Sequence, residues 1–254
     1  MFGWALVGAG ILAGCAGVPP PREAGQPVSR YEQEQLIARL QRREGTVRSL
    51  RGTATVGVTV NGETRRLREA MALRSDGRFR LETLGAFGMP VLIIASDGKE
   101  VAVHGNPEVA GGSPGGCGVL RYLLGVNLSP PAFVRLLLGF PPRPIGPSAF
   151  VSYLQTRQAY LLEEEYGDVV QRLYLGSSGA VLGGAIWEGR RGLRFVFDGV
   201  RRVEGIAVPA GITLTQVHRP VRVTVSYRAV DINPVLADRL FVFPASTPAL
   251  AGGC

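Results

Sequence analysis

LRGTATVGVTVNG, residues 50–62, is where the chain changes to a period of two. Ala54, Val56, Val58 and Val60 fall on one side and Thr53, Thr55 and Thr59 on the other, the alternation of a half-buried β-strand. Asn61-Gly62 then supplies the two positive-φ residues that a type I′ hairpin turn demands, so the next segment returns antiparallel. That return strand runs through Met71 and Leu73 to Ser75-Asp76-Gly77, a second turn. Phe79 and Leu81 alternate with Arg78, Arg80 and Glu82; the apolar run Val91 to Ala95, the turn Asp97-Gly98 and the segment Glu100 to His104 complete a meander. No helical crossover separates these strands, which argues against a parallel sheet.

Upstream of this block, Ser29 and Glu32 form a capping-box pattern at the start of a helix. Leu36, Leu40, Val47 and Leu50 share one face at helical spacing, with Ile37 at its margin and Gly45 as a point where the helix stops and resumes. Downstream, 105–118 is a glycine-rich loop and 119–124 a short apolar helical stretch. Ser129-Pro130 starts a helix with Phe133, Leu136 and Leu137 on its apolar face, ended by Gly139. A proline-rich loop, 140–147, follows. Strands are expected again from Tyr160: Leu173 and Leu175; Leu193, Phe195 and Phe197; Ile212 and Leu214; Val223, Val225 and Tyr227. Leu240-Phe241 is a closing packing element. The total is about ten strands, more than a flat open sheet carries without curling. The expectation is a mainly β protein with a few helices: a curved antiparallel half-barrel, unclosed, with a helical lid around an apolar cavity.

The first residues differ in kind. Met1 to Gly14 are uncharged and mostly apolar, too short a run to span a bilayer but suited to a signal-peptide core. They end in Leu12-Ala13-Gly14-Cys15, the small-residue-then-cysteine layout of a bacterial lipobox, in which the thiol receives diacylglycerol. The reading is a signal peptide over 1–14, a lipid anchor on Cys15, a proline- and glycine-rich tether over 15–28, and one folded domain over 29–254. The alternative is an ordinary signal peptide or an N-terminal helix that happens to contain cysteine; no Lys or Arg precedes the apolar run, although a secretory n-region normally carries one. With Cys15 acylated, Cys117 and Cys254 remain, and an oxidising compartment permits but does not require their pairing.

The chain has 254 residues, 46% of them hydrophobic, enough for a sizeable core in one domain. Its net charge of +8 comes almost wholly from arginine, Lys99 being the single lysine. Arginines are spread through the alternating segments as outward strand residues, with attraction to anionic lipid headgroups as a secondary reading. No basic patch interleaved with aromatics appears, so nucleic acid is not an expected partner.

Motifs that imitate catalytic sites fail on their chemistry. Gly111-Gly112-Ser113-Pro114-Gly115 has the spacing of a nucleophile elbow, but Pro114 lacks the N–H that would face the oxyanion. Residues 8–13 imitate a dinucleotide fingerprint inside the signal peptide, with no strand before them. His104 and His218 stand far apart, and no ligand-spaced His or Cys pair exists, so no metal is expected. Glu163-Glu164-Glu165 is read as a solvated edge or turn, because neighbours on a strand face opposite sides. No cofactor and no enzymatic activity are expected.

One connection breaks the rule that loops are polar. Leu84-Gly85-Ala86-Phe87-Gly88-Met89-Pro90 joins two strands yet carries three large apolar side chains. Phe87 either folds back into the core or protrudes to meet lipid or a lipidated partner.

The order of these pieces resembles the LolB/LolA-like outer-membrane lipoprotein-sorting family and, more loosely, related lipoproteins of unknown function. It rests on the lipobox, the amphipathic helix, LRGTATVGVTVNG, GRFRLETLGAFGMPVLIIASDG (77–98), a helical insert ending LLLGFPP (136–142), and the second strand block. The resemblance implies a half-barrel that accepts acyl chains of lipoproteins or lipids from a periplasmic carrier and passes them to the outer membrane. It places the family's protruding residue, usually leucine, at Phe87, with Leu84 and Met89 completing a transfer loop. The implied cavity wall is Val56, Val58, Phe79, Leu81, Phe195, Phe197, Val223 and Val225. Ala16, after the anchor, implies the periplasmic face of the outer membrane, where aspartate would imply the inner one. The alternative is a non-catalytic structural lipoprotein that scaffolds a protein partner in the envelope.

Overall fold

The computed structural model describes residues 23–105, 120–121 and 127–242. Among them, thirteen strands form one antiparallel sheet. The strands are β1 (Gln26–Pro27), β2 (Ser49–Val60), β3 (Glu63–Arg74), β4 (Arg78–Leu84), β5 (Pro90–Asp97), β6 (Val101–Gly105), β7 (Phe150–Leu154), β8 (Ala159–Tyr166), β9 (Val169–Leu175), β10 (Val181–Glu188), β11 (Arg191–Val203), β12 (Ile206–Gln216) and β13 (Val221–Ile232). Their spatial order is β1-β7-β8-β9-β10-β11-β12-β13-β2-β3-β4-β5-β6. Chain neighbours are sheet neighbours within each block, and one long-range pairing, β13 with β2, welds the blocks together. β1 and β6 do not pair with each other, so the sheet is an unclosed half-barrel.

The hairpin that set the sequence reading forms as expected. Asn61 (φ 51°) and Gly62 (φ 90°) turn β2 into β3, and the register runs unbroken from Val60↔Glu63 to Ser49↔Arg74. The β2–β13 seam contains a bulge between Tyr227 and Ala229. Gly52 is required there: a Cβ on it would lie 2.1 Å from the Ala229 carbonyl oxygen. The strand count exceeds the expected ten for local reasons. β1 is two residues long and carries no periodicity, β7 precedes Tyr160 because both of its faces are covered, hiding its alternation, and β10, with Gly183-Gly184 in its middle, is buried along most of its length. Gln26 and Pro27 pair with Tyr153 and Ser152, so the end of the expected tether is part of the sheet.

Helices α1 (Arg30–Glu44) and α2 (Pro130–Leu137) lie on one face. The Ser29 hydroxyl accepts the Glu32 amide at 3.2 Å, but the Glu32 side chain accepts instead from Tyr160 Oη at 2.7 Å, tying α1 to β8. The helix does not resume after Gly45. Thr46 Oγ1 donates to the Arg43 carbonyl and Asn233 Nδ2 to the Thr46 carbonyl, satisfying the freed acceptors, and Leu50 enters β2 opposite Ile232. Ser129 caps α2, and Gly139 (φ 88°) ends it against Pro209.

The two helices and the sheet enclose one core. Leu36 and Leu40 of α1 and Phe133, Leu136 and Leu137 of α2 join Leu50, Leu73, Phe79, Leu162 and Leu173 of the sheet. Phe133 meets Phe79 edge-on, ring centres 5.2 Å apart. Tyr227 Oη donates to the Leu137 carbonyl at 2.5 Å, and Arg135 bridges to Glu44 at 2.7 Å, joining lid to sheet and lid to lid.

The acidic run on β8 is not a solvated edge. Glu163 and Glu164 do face opposite sides, but both are buried. Glu163 pairs with Arg172 of β9 at 2.7 Å, and Arg172 in turn stacks over Trp187. Glu164 accepts from the Gly146 amide, Ser148 Oγ and the Tyr166 hydroxyl, anchoring the 138–149 strap to the concave face. Sequence alone could not show these partners, since they come from a loop and a neighbouring strand.

Candidate functional site

Strand register sorts the residues of the expected wall into rows across the concave face. Phe197, Ile212, Val225, Val56 and Leu67 are mutual neighbours on β11, β12, β13, β2 and β3. Phe195, Leu214, Val223, Val58 and Arg65 form the next row toward the β2–β3 hairpin. Thus Val56, Val58, Phe195, Phe197, Val223 and Val225 come together as one patch. Ile212, Leu214 and Leu67 belong to it as well and were readable from the same alternation. Phe79 and Leu81 lie further along, on β4, where Phe79 is committed to Phe133. Within the patch, burial grades sideways: the β12 and β13 members are buried, whereas Val56, Val58 and Leu67 remain half-exposed.

Between these regions runs a third row, Tyr227, Ala54, Glu69, Thr83 and Leu92. Glu69 therefore points into an apolar face and is only 7% exposed. Thr83 Oγ1 donates to its carboxyl at 2.6 Å. Burial, opposed by that hydrogen bond and reinforced by the Glu82 charge, pushes its pKa up to about 7. Sequence reasoning passed over Glu69, although Leu67, Glu69, Met71 and Leu73 share one period-two face and the odd polar member was visible there.

The β4–β5 connection is a closed turn. The Gly85 amide donates to the Met89 carbonyl at 2.9 Å, the Gly88 amide to the Gly85 carbonyl at 3.0 Å, and Gly88 takes φ 77°. Arg68 Nη2 of β3 clamps the Gly85 carbonyl from outside at 3.0 Å. This backbone holds Phe87 at the tip, 96% exposed, with Met89 at 70% and Val91 beside them. Leu84 is half-buried at the base. The alternative in which Phe87 folds into the core is not the one adopted.

Beneath the N-terminus of α2 lies a pocket of about 210 Å³, lined by Asn127, Leu128, Ala132, Arg143, Ile186 and Glu188 among others. It is smaller than the roughly 300 Å³ at which drug-sized ligand sites begin. His104 and His218 are both exposed, at a strand end and in a turn. No group of metal-ligating side chains occurs among the described residues, and no described helix is long and apolar enough to cross a membrane. Cys15, Cys117, Cys254 and Ser113 lie outside the described residues, as does most of 119–124.

An unclosed, strongly curved antiparallel sheet with helices on its concave face is a distinctive arrangement, and solved structures share it. The fold is LolA-like. A LolA-superfamily protein from Nitrosomonas europaea superposes with a TM-score of 0.53 at 11% identity, covering 81% of this chain and 96% of that one. A domain from Vibrio parahaemolyticus assigned to outer-membrane lipoprotein sorting gives 0.52 at 9% identity, covering 82% and 96%. A DUF1329-family protein from Desulfovibrio piger gives 0.54 at 12% identity, covering 85% and 98%. No family model matches the sequence and no curated protein is similar to it. The LolA-like sheet is thus shared in shape while almost every side chain differs, so any function must be argued from the residues of this chain.

Proposed function

We propose that this protein is a non-enzymatic envelope lipoprotein, anchored through Cys15 at the periplasmic face of the outer membrane, that accepts acyl chains of lipoproteins or lipids. The observation that carries this reading is the presented Phe87. Two turn hydrogen bonds and a clamping arginine hold a large apolar side chain fully in solvent, a placement that costs solvation free energy unless it meets hydrocarbon. The aliphatic rows around Val56, Val58 and Leu67, half-exposed on the concave side, offer the surface on which a chain would lie. A 16-carbon chain represents on the order of 10 kcal/mol of apolar hydration, so a carrier must shield it. The similar lipoprotein-sorting domains support the reading at the level of fold.

The test is uptake of a fluorescent acyl-chain probe by delipidated protein, together with lipoprotein localisation in cells carrying Phe87→Glu. Saturable uptake and mislocalisation are expected. No uptake combined with normal localisation would end this reading. A second reading, a structural lipoprotein that scaffolds a protein partner, is favoured by the packing of Phe133 on Phe79, which fills that part of the concave face. It predicts no probe uptake and a stable partner in pull-downs.

A further inference from the structure

Ion pairs of the strand arginines concentrate toward one end of the long strands, where Asp76 and Asp238 neutralise Arg74 and Arg78, and Asp231 neutralises Arg51, although Arg48 and Arg202 at that end make no ion pair among the described residues. Toward the other end, where β2–β3, β4–β5, β10–β11 and β12–β13 turn, Arg66, Arg68, Arg194 and Arg222 are exposed and make no ion pair among the described residues. Arg190 and Arg219 are exposed in the turns at the same end.

Register fixes how the unpaired arginines are arranged. Arg194 of β11 pairs with Thr215, Thr215 with Arg222 of β13, Arg222 with Thr59, and Thr59 with Thr64. This is one row across five strands on the convex face, opposite the aliphatic wall. The two arginines in it stand two strands apart, about 10 Å. Arg66 belongs to the next row, beside Gly57, and Arg68 to the one after, beside Thr55, where it clamps the Phe87 turn. The carboxylate nearest this array on the same face is Glu82 of β4, one row beyond Arg68, and it is held by Arg80 at 2.6 Å. Asp198 lies two rows from the first, and Thr213 Oγ1 donates to it.

We propose that this arginine array and the Phe87 tip together form a docking surface for a membrane bearing anionic phospholipids. Threonines, small and polar, and one exposed valine, Val196 in the row of Arg66, fill the spaces between the guanidinium groups, so the patch lacks the cluster of aromatic or aliphatic anchors that holds a protein partner. What it offers is a lattice of phosphate-binding forks next to an apolar side chain that can enter the acyl region, the combination by which peripheral proteins bind lipid surfaces. The surface deepens the acyl-acceptor reading by fixing which end of the barrel meets the bilayer, and it does not depend on an acyl chain occupying the concave face.

The experiment uses the full chain with Cys15→Ser, so that no covalent lipid contributes, and sedimentation with vesicles of pure phosphatidylcholine or of phosphatidylcholine with a quarter phosphatidylglycerol. Binding to the phosphatidylglycerol vesicles is expected, weakened by salt, and reduced roughly a hundredfold by combining Arg66→Gln, Arg194→Gln and Arg222→Gln, because each basic residue near an anionic surface contributes about fivefold. Phe87→Ser should reduce binding further without changing its salt dependence. Exposed arginines leave the fold intact, which an unchanged unfolding curve verifies. Equal binding to both vesicle types, or a triple variant within about twofold of the parent, would overturn the proposal. Acyl-probe uptake on the same preparations separates the two claims: docking without uptake leaves this surface standing and removes the acceptor role, and uptake without docking does the reverse.

Discussion

Replacing Glu69 by glutamine should make the protein more stable at neutral pH and leave it unchanged in acid. Glu69 sits on the concave face between Ala54 and Thr83, with Leu67 and Met71 along its own strand and Leu92 beyond Thr83; no cation faces it in these rows. Its pKa lies at about 7, against 4.5 for an ordinary glutamate, with burial as the principal cause. A proton is therefore held more tightly by the native state than by the unfolded chain. Stability falls as pH rises through the window from 4.5 to about 7, and the loss is complete above it. At about 1.4 kcal/mol per tenfold difference in proton affinity, that displacement corresponds to about 3 kcal/mol. Water reaching the carboxylate lowers it, so about 3 kcal/mol is the upper end.

Glu69→Gln keeps the volume and an oxygen able to accept from Thr83 Oγ1, while removing the ionisation. Urea unfolding followed by Trp187 fluorescence, from about pH 4 to about pH 8, measures the difference between the two proteins at each pH. Other shifted groups cancel in that difference: Glu44, also raised by burial, and Asp97, lowered by the Lys99 and Glu100 amides, are present in both. The expected difference is near zero below about pH 4.5 and grows to 1–3 kcal/mol, in favour of the variant, by about pH 8. Two stability curves that run parallel across this range would refute the placement of an unpaired carboxyl in the concave face.

Three further outcomes follow from the packing. Phe133→Ala removes the ring that faces Phe79 and should cost about 3–5 kcal/mol by denaturant unfolding. Tyr227→Phe leaves the Leu137 carbonyl without its donor and should cost about 1–3 kcal/mol, with faster hydrogen exchange in α2 than in the strands. Phe87→Ser, at a fully exposed tip, should change stability by less than about 0.5 kcal/mol, so that any loss of acyl uptake in that variant reports on function and not on folding.

Much of this architecture was legible because the relevant signals are local. Period-two alternation over 53–60 and the Asn61-Gly62 dipeptide determine a hairpin whatever surrounds it, and Ser129-Pro130 starts a helix for reasons confined to one turn. The curvature was inferred from strand number, and the apolar wall from the same alternation, so the patch of Val56, Val58, Val223 and Val225 was found before its register was known. What escaped was non-local. The β13–β2 seam joins residues about 170 apart in the chain, and nothing in either segment names the other. The burial of Glu163 and Glu164 depends on Arg172 and on the 138–149 strap, and the end of α1 depends on Asn233. Glu69 is the instructive case: its face was readable, but a lone acid in a hydrophobic row looks like noise until Thr83 is seen opposite it.

On the acyl-acceptor reading, the filled part of the concave face is a requirement rather than an obstacle. A chain lying on the half-exposed Val56–Leu67 surface reaches, further along the concave face, the region around Phe79, and the cover it would displace there is α2, eight residues long. Its large buried side chains, Phe133, Val134, Leu136 and Leu137, contribute roughly 1.5–3 kcal/mol each when buried, about 6–12 kcal/mol together. A 16-carbon chain brings on the order of 10 kcal/mol of the same kind of burial. The exchange of helix for hydrocarbon is therefore close to balanced, and a protein that must both load and release its cargo needs that balance. An empty cavity would bind a chain without offsetting cost and hold it; a core sealed by much more than α2 would never admit one. The ties from α2 to the remainder, Tyr227 to Leu137 and Arg135 to Glu44, are few enough to set which of the two states is occupied at rest. Weakening them by Tyr227→Phe should accordingly raise acyl-probe affinity even as it lowers the stability of the unloaded protein.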